Sequence, residues 1–467
     1  MTSGNFLFYW ELFDVRGPIF PVMPLALPSR SISLYHRLWL AGIAMGVFVS
    51  TLIVGNAFLP PERAVRWNML GYDFRALYIA GTFANEGRYA DFYDLNAVGK
   101  WDERLAAENG LDLNQGIGPI FNPPFFSWMF APLARWPYPT ALKTWYAISF
   151  ICLFAAMALM GKFLPAGPLL CPESCLILLL TITSLPAIQV IVHAQNTFVS
   201  LLMLTAVVAC WRSRRPLAAG LAAGLLFYKP QLAAIVAIVL AMMMGRRALL
   251  GLMLTGTALL LLNVLTLPGT LSDFFFKMPA NLRWLQEEHF YAWQRHATFR
   301  GFWRMLIQGR RSGPTLPIVQ ILSIFCMAVV AGGLARVLYL SRGARFGTDR
   351  VIAATITAMP LLMPFYFDYD LLLLAIPAVL TAADFRRAGR DLGQVADRWL
   401  PTAWVVLWFS TILNMPVAGA TRFSPTVPAM CLVSGLTLLR AARRIGICEF
   451  REPAAPLDDI ILSRCAA

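Results

Sequence analysis

Residues Leu38 to Leu59 run without a single charged side chain. A helix needs about 20 mainly apolar residues to cross about 30 Å of hydrocarbon, so this stretch reads as a first membrane span. Comparable segments recur near Ala141–Met160, Cys175–Val192, Phe198–Trp211, Leu217–Phe227, Leu232–Met244, Ala248–Leu267, Pro317–Leu340, Val351–Met363, Leu371–Ala382, Pro401–Leu413 and Val427–Leu439. Of 467 residues, 58% are hydrophobic and 14% charged, more apolar surface than one soluble core can hide. The expected fold class is an all-α polytopic bundle of about twelve transmembrane helices.

Charge sets the orientation. The clusters Arg212/Arg214/Arg215, Arg246/Arg247, Arg342/Arg345/Arg350, Arg386/Arg387/Arg390 and Arg440/Arg443/Arg444 all fall on the cytoplasmic side if the amino terminus is cytoplasmic. The formal charge of +14 is therefore positive-inside anchoring; it does not follow one face as a nucleic-acid surface would. This gives a cytoplasmic segment 1–37, a single membrane domain 38–445 with external loops near 60–139 and 268–313, and a cytoplasmic tail 446–467. No small-residue cleavage site follows the first apolar segment, which argues against a removable signal peptide. Cys171 and Cys175 lack a Cys-x-x-Cys or His partner, against a zinc site or a disulfide framework.

Polar residues at membrane depth mark candidate chemistry. Leu217–Phe227 is too short to cross before Tyr228, Lys229, Pro230 and Gln231 interrupt it. A Lys near the bilayer centre costs about 2.5–3.5 kcal/mol, so Lys229 should face a polar cavity or an anion; the alternative is snorkelling to the outer interface. His193, Ala194, Gln195, Asn196 and Thr197 separate two apolar segments on the same side, as an ordinary turn or as helix ends offering N–H groups to a phosphate. Asp73, Asp368 and Asp370 fall on the external side among aromatic residues, as a general base or as interfacial capping and ion-pairing groups.

In their order along the chain, these pieces resemble glycosyltransferase family 87, a bacterial membrane group. The likeness runs through Asp73-Phe74, Tyr78, Gly87, Tyr93-Asp94, Phe121-Asn122-Pro123-Pro124, Pro132, Gln195-Asn196-Thr197, Gly220 and Lys229-Pro230-Gln231, ending near Asp370. The resemblance implies a GT-C-like helical bundle whose external loops carry short amphipathic helices. It implies a polyprenyl-phosphate-linked sugar as donor, with Asp73 as catalytic base. Many members carry a late Ser-Pro-x-Ser-Trp-x-His-His segment, whereas this chain has Met363-Pro364-Phe365-Tyr366-Phe367-Asp368-Tyr369-Asp370, without either histidine.

The expected reaction is inverting transfer of a sugar, mannose or another hexose, to a glycolipid or glycan acceptor outside a bacterial plasma membrane. Lys229, with Arg75 or Arg300, would balance the departing phosphate. Tyr72, Tyr78, Asn122, Gln195, Asn196, Gln231, Asp368 and Asp370 are the substrate-binding candidates, and Asp368 or Asp370 would orient a hydroxyl or hold Lys229 or an arginine before substrate arrives. Trp284 and Trp293 are further stacking candidates, with interfacial anchoring as the alternative. In the first loop, Asn85–Arg104 and Glu108–Gln115 are compatible with surface helices forming a lid. No cofactor, metal or nucleic acid is implied, and no P-loop is present. The competing class is a secondary transporter, which also uses broken helices and buried charge.

Overall fold

The computed structural model describes residues 34–59, 66–113, 116, 118–164, 172–289, 291–342, 347–388 and 395–450. Most of the anticipated cytoplasmic amino-terminal segment, most of the tail, and Cys171 lie outside these residues. The described chain is helical, with one isolated antiparallel bridge between His296 and Phe367. The helices are α1 (Leu34–Asn56), α2 (Tyr72–Glu86), α3 (Leu95–Asn109), α4 (Ser127–Phe130), α5 (Tyr138–Gly161) and α6 (Pro172–Ile182). Then come α7 (Leu185–His193), α8 (Thr197–Arg212), α9 (Pro216–Gly224), α10 (Pro230–Met244), α11 (Arg246–Thr266) and α12 (Thr270–Glu287). The chain continues through α13 (Phe299–Gln308), α14 (Pro317–Leu340), α15 (Thr348–Leu362), α16 (Ala375–Ala388), α17 (Val395–Thr421) and α18 (Thr426–Phe450).

Every anticipated apolar segment falls mainly in a helix, but a dozen full crossings are not what length supports. Among the described residues, five helices, α1, α5, α11, α14 and α17, are long and apolar enough to cross a membrane, and α6 with α7 makes a sixth candidate bent by 60°. Several other apolar helices are shorter: the 16 residues of α8 extend about 24 Å, less than the hydrocarbon thickness. The long candidates carry apolar side chains outward, including Ile53 on α1, Leu265 on α11 and Ile324 and Phe325 on α14, as lipid-facing helices do.

The loops between spans are folded. α2, α3 and α4 occupy the first long loop, and α12 and α13 the second. Asp94 caps α3 by accepting from the N–H groups of Asn96 and Ala97. Of the two expected lid helices, the stretch 85–104 contributes the end of α2 and much of α3. Of the second, residues 110–113 are not helical, because α3 stops at Gly110 in the left-handed region (φ 64°), and Asn114 and Gln115 lie outside the described residues.

Small residues bring α9 and α11 into backbone contact. A Cβ on Gly220 would stand 1.9 Å from the Ala248 carbonyl oxygen, and one on Gly251 2.2 Å from that of Leu217. Such spacing lets two helices approach where lipid gives no hydrophobic reason to associate. The consequence is local: α9 is held at a fixed depth, and the chain leaving it delivers Lys229.

α8 joins two charged poles. At its carboxyl end Arg212 forks onto Asp349 at 2.7 and 3.2 Å, and Arg387 reaches the same carboxylate at 2.8 Å. Beside them Arg350 forks onto Asp384 at 2.8 and 3.1 Å, while Arg440 contacts Asp384 at 2.7 Å and also pairs with buried Asp397. The other pole begins at Thr197.

Candidate active site

Two helix ends meet first. Gly71 adopts φ 77°, a conformation glycine reaches without a Cβ penalty, and its N–H donates to the Val192 carbonyl at 2.8 Å. That contact ties the start of α2 to the end of α7 and sets Asp73 in the first turn of α2, where the helix dipole favours a carboxylate. α7 ends through Ala194 at φ 50°, which is strained for a residue with a Cβ. α5 holds it there: the Trp145 indole N–H donates to the Ala194 carbonyl at 2.9 Å, and the Tyr146 hydroxyl to that of Ile191 at 2.7 Å.

The residues released by this turn close on Asp73. Gln195 Nε2 donates to Asp73 Oδ2 at 2.6 Å, and His193 Nδ1 lies 3.7 Å from the same oxygen. Asp73 is the most open of the acids here, its side chain 28% exposed against 13% for Asp368 and 14% for Asp370.

Lys229 arrives from the other direction. Pro230 disfavours a helical conformation in the residue before it, and Lys229 breaks the chain between the 3-10 turn Leu225–Tyr228 and α10. Below it Tyr228 is sealed in, its hydroxyl bonded to Ser200 and its ring stacked on Phe126 with centroids 4.4 Å apart. Lys229 Nζ donates to Asp370 Oδ1 at 2.6 Å, and Thr197 Oγ1 donates to that oxygen at 2.8 Å.

The segment Asp368–Tyr369–Asp370 opens a 3-10 turn running to Leu374 and offers both acids to cations. Asp368 receives a fork from Arg295 at 2.9 and 3.0 Å, and Arg295 also reaches Gln189 at 3.4 Å. Burial opposes the Arg295 charge, but the Asp368 carboxylate outweighs it and raises the guanidinium's proton affinity. Neighbouring His296 is sealed in, bonded to the Tyr291 hydroxyl at 2.8 Å, and is pushed down to about 3 by burial and then by Arg300 and Arg295. It is neutral at ordinary pH.

Tyr369 is the hub. Its ring centroid lies 5.7 Å from the Arg295 guanidinium, 5.8 Å from Lys229 Nζ and 6.5 Å from the His193 ring. The cluster thus holds a partly open carboxylate that accepts from Gln195, two cations paired with carboxylates, and a buried imidazole. That set can accept a proton and receive an anion within one small volume.

The structure brings together Asp73, Gln195, Lys229, Asp368 and Asp370, with Asn196 buried beside them. It does not bring Arg75 or Arg300 there. Arg75 is buried against Asp102 at 3.4 Å and under the Tyr72 ring at 4.5 Å. Burial raises the proton affinity of Asp102 and Arg75 opposes it. Arg300 bonds Gln286 at 3.2 Å and Thr315 at 3.3 Å and lies over Trp293.

The remaining candidates serve the surrounding framework. The Tyr72 hydroxyl donates to Gly116 and that of Tyr78 to Trp136, while Asn122 ties Pro123's loop to the Tyr228 carbonyl at 3.1 Å. Gln231 is exposed in the first turn of α10, and Trp284 packs on His289.

Arg295 and Tyr369 were not anticipated, and His193 and Thr197 only as part of a polar break. Arg295 sits in a long loop, where a basic residue carries no topological signal. Tyr369 had one, its place between two acids.

A profile of the family described as Glycosyltransferase family 87 matches residues 121–364. No curated protein and no solved structure matches the chain. The matched stretch contains Gln195, Lys229 and Arg295, while Asp73 and the two later acids flank it.

Proposed function

The chain belongs to glycosyltransferase family 87 and is a membrane glycosyltransferase, and we propose on that premise that it moves a sugar from a polyprenyl-phosphate donor to a glycolipid or glycan acceptor. The transfer takes place at the extracytoplasmic face of a bacterial plasma membrane, with a hexose, mannose foremost, as the sugar. The observation that carries this reading is the convergence of Asp73, Lys229 and Arg295 around Tyr369 at the pole opposite the Arg212 cluster. Exposed Leu221 and Leu225, on α9 and the turn that leads to Lys229, suit a polyprenyl chain, and the basic residues at the other pole suit a cytoplasmic side.

The chemistry follows from the geometry. Gln195 fixes the Asp73 carboxylate through Oδ2, and that carboxylate takes the acceptor's hydroxyl proton. The acceptor oxygen attacks the anomeric carbon on the face opposite the phosphate, so a single base inverts the configuration. Lys229 and Arg295 receive the charge growing on the phosphate, an interaction stronger in the transition state than in the ground state. Before donor arrives their charges are balanced by Asp370 and Asp368. Arg295 therefore takes the place beside Lys229 that the sequence suggested for Arg75 or Arg300.

The test is transfer of radiolabel by the purified chain in nanodiscs, from a panel of polyprenyl-phosphate hexoses to extracted membrane glycolipids. Label in the glycolipid fraction with one donor supports the reading and identifies the sugar. Label appearing with nucleotide sugars alone would overturn the donor assignment.

A further inference from the structure

Charge counting exposes a deficit that the proposed reaction makes worse. Asp73, Asp368 and Asp370 face Lys229 and Arg295, so the cluster carries three carboxylates against two fixed cations. A donor phosphodiester adds one negative charge, and the departing phosphate monoester adds a second. Inside a largely buried cluster such an excess is costly, because low local dielectric strengthens every unbalanced charge. The proton given up by the acceptor offsets that second charge, provided that it stays within the cluster while the phosphate is bound.

His193 is the group placed to keep that proton there once Asp73 gives it up. It is buried, and its Nδ1 has no hydrogen-bond partner. That nitrogen nevertheless stands 3.7 Å from Asp73 Oδ2, the carboxylate that would have just taken a proton. A buried nitrogen without a hydrogen bond is a cost to the fold, and a proton on it would let it donate to the facing Asp73 carboxylate. Its surroundings are defined: Asp73 faces it from α2, Asp368 and Tyr369 from the 3-10 turn, and Arg295 from the loop before α13, with Gln195 as the uncharged neighbour that follows it.

We propose that His193 relays the proton, taking it from Asp73 after sugar transfer and holding it as imidazolium while the product phosphate occupies the cations. This rests on the sugar-transfer reading above. In the balanced step the acceptor oxygen forms its bond to the anomeric carbon, and the carbon–oxygen bond to phosphate breaks with its electron pair on the phosphate. The acceptor's proton passes to Asp73 and then to His193 Nδ1, which restores the base for the next cycle. His193 touches no reacting atom; it acts through Asp73.

Binding of the product anion alone should therefore draw a proton onto His193, by the linkage that ties ligand charge to protonation. The experiment is titration calorimetry of farnesyl phosphate into the full chain in nanodiscs at pH 7.5, in two buffers of different ionisation enthalpy, for wild type, His193→Gln and His193→Asn. Gel filtration and thermal unfolding identify folded variants. Wild type is expected to take up on the order of one proton more per bound phosphate than either folded variant. Equal uptake by all three overturns the relay and leaves the sugar-transfer reading standing. Absence of farnesyl phosphate binding to wild type overturns the donor-site reading underneath and the relay with it.

Discussion

The two poles of α8 use the same ingredients and do opposite things with them. At the Arg212 pole, Arg212 and Arg350 each fork onto a carboxylate, Asp349 and Asp384 are shared between arginines, and Asp397 is fully buried under Arg440. At the Thr197 pole Arg295 also forks onto Asp368, but the lysine pairs with one carboxylate oxygen, the base is partly open, and His193 Nδ1 and Asn196 Oδ1 are buried without hydrogen-bond partners. A buried ion pair contributes little net stability, but removing one partner costs several kcal/mol. The same pairing is a lock where no other anion fits and a latch where a phosphate can replace the carboxylate.

Substitutions should separate lock from latch. Asp73→Asn has the largest expected effect on turnover, a loss of about 10²–10⁴-fold with unfolding temperature unchanged, read by radiolabel transfer beside thermal unfolding. Lys229→Ala should follow, lowering transfer by about 10²–10³-fold and weakening retention of farnesyl phosphate. At the locked pole Arg440→Ala takes a cation away from both Asp397 and Asp384, so stability should fall by about 3–5 kcal/mol while the folded fraction keeps its turnover. Loss of turnover by folded Arg440→Ala would break the division between the poles. Ala194→Gly relaxes the left-handed turn after His193 and should stabilise the fold by on the order of 0.5 kcal/mol, seen as a small rise in unfolding temperature.

The latch was more legible in the sequence than its partners. Lys229 stood out because a charge at membrane depth is costly and needs a reason to be there, and Asp73, Asp368 and Asp370 as acids among aromatic residues on the expected external side. Arg295 did not, since a loop arginine is unremarkable until the chain folds it onto Asp368. Nor did anything near Arg75 announce that Asp102, one helix later, would neutralise it. Helices were legible from apolar runs, but crossings were not: the runs forming α8, α9 and α10 are as apolar as spans yet too short, and only packing such as Gly220 on Gly251 fixes their depth.

The division between the poles is tested most directly by light-driven labelling with a farnesyl phosphate that carries a diazirine beside the phosphate, followed by peptide mapping of the full chain in nanodiscs. The account predicts label on the segments around Asp73, Gln195, Lys229 and Tyr369, suppressed by excess unlabelled farnesyl phosphate. Competable label concentrated around Arg212, Asp349 and Arg440 instead would contradict it.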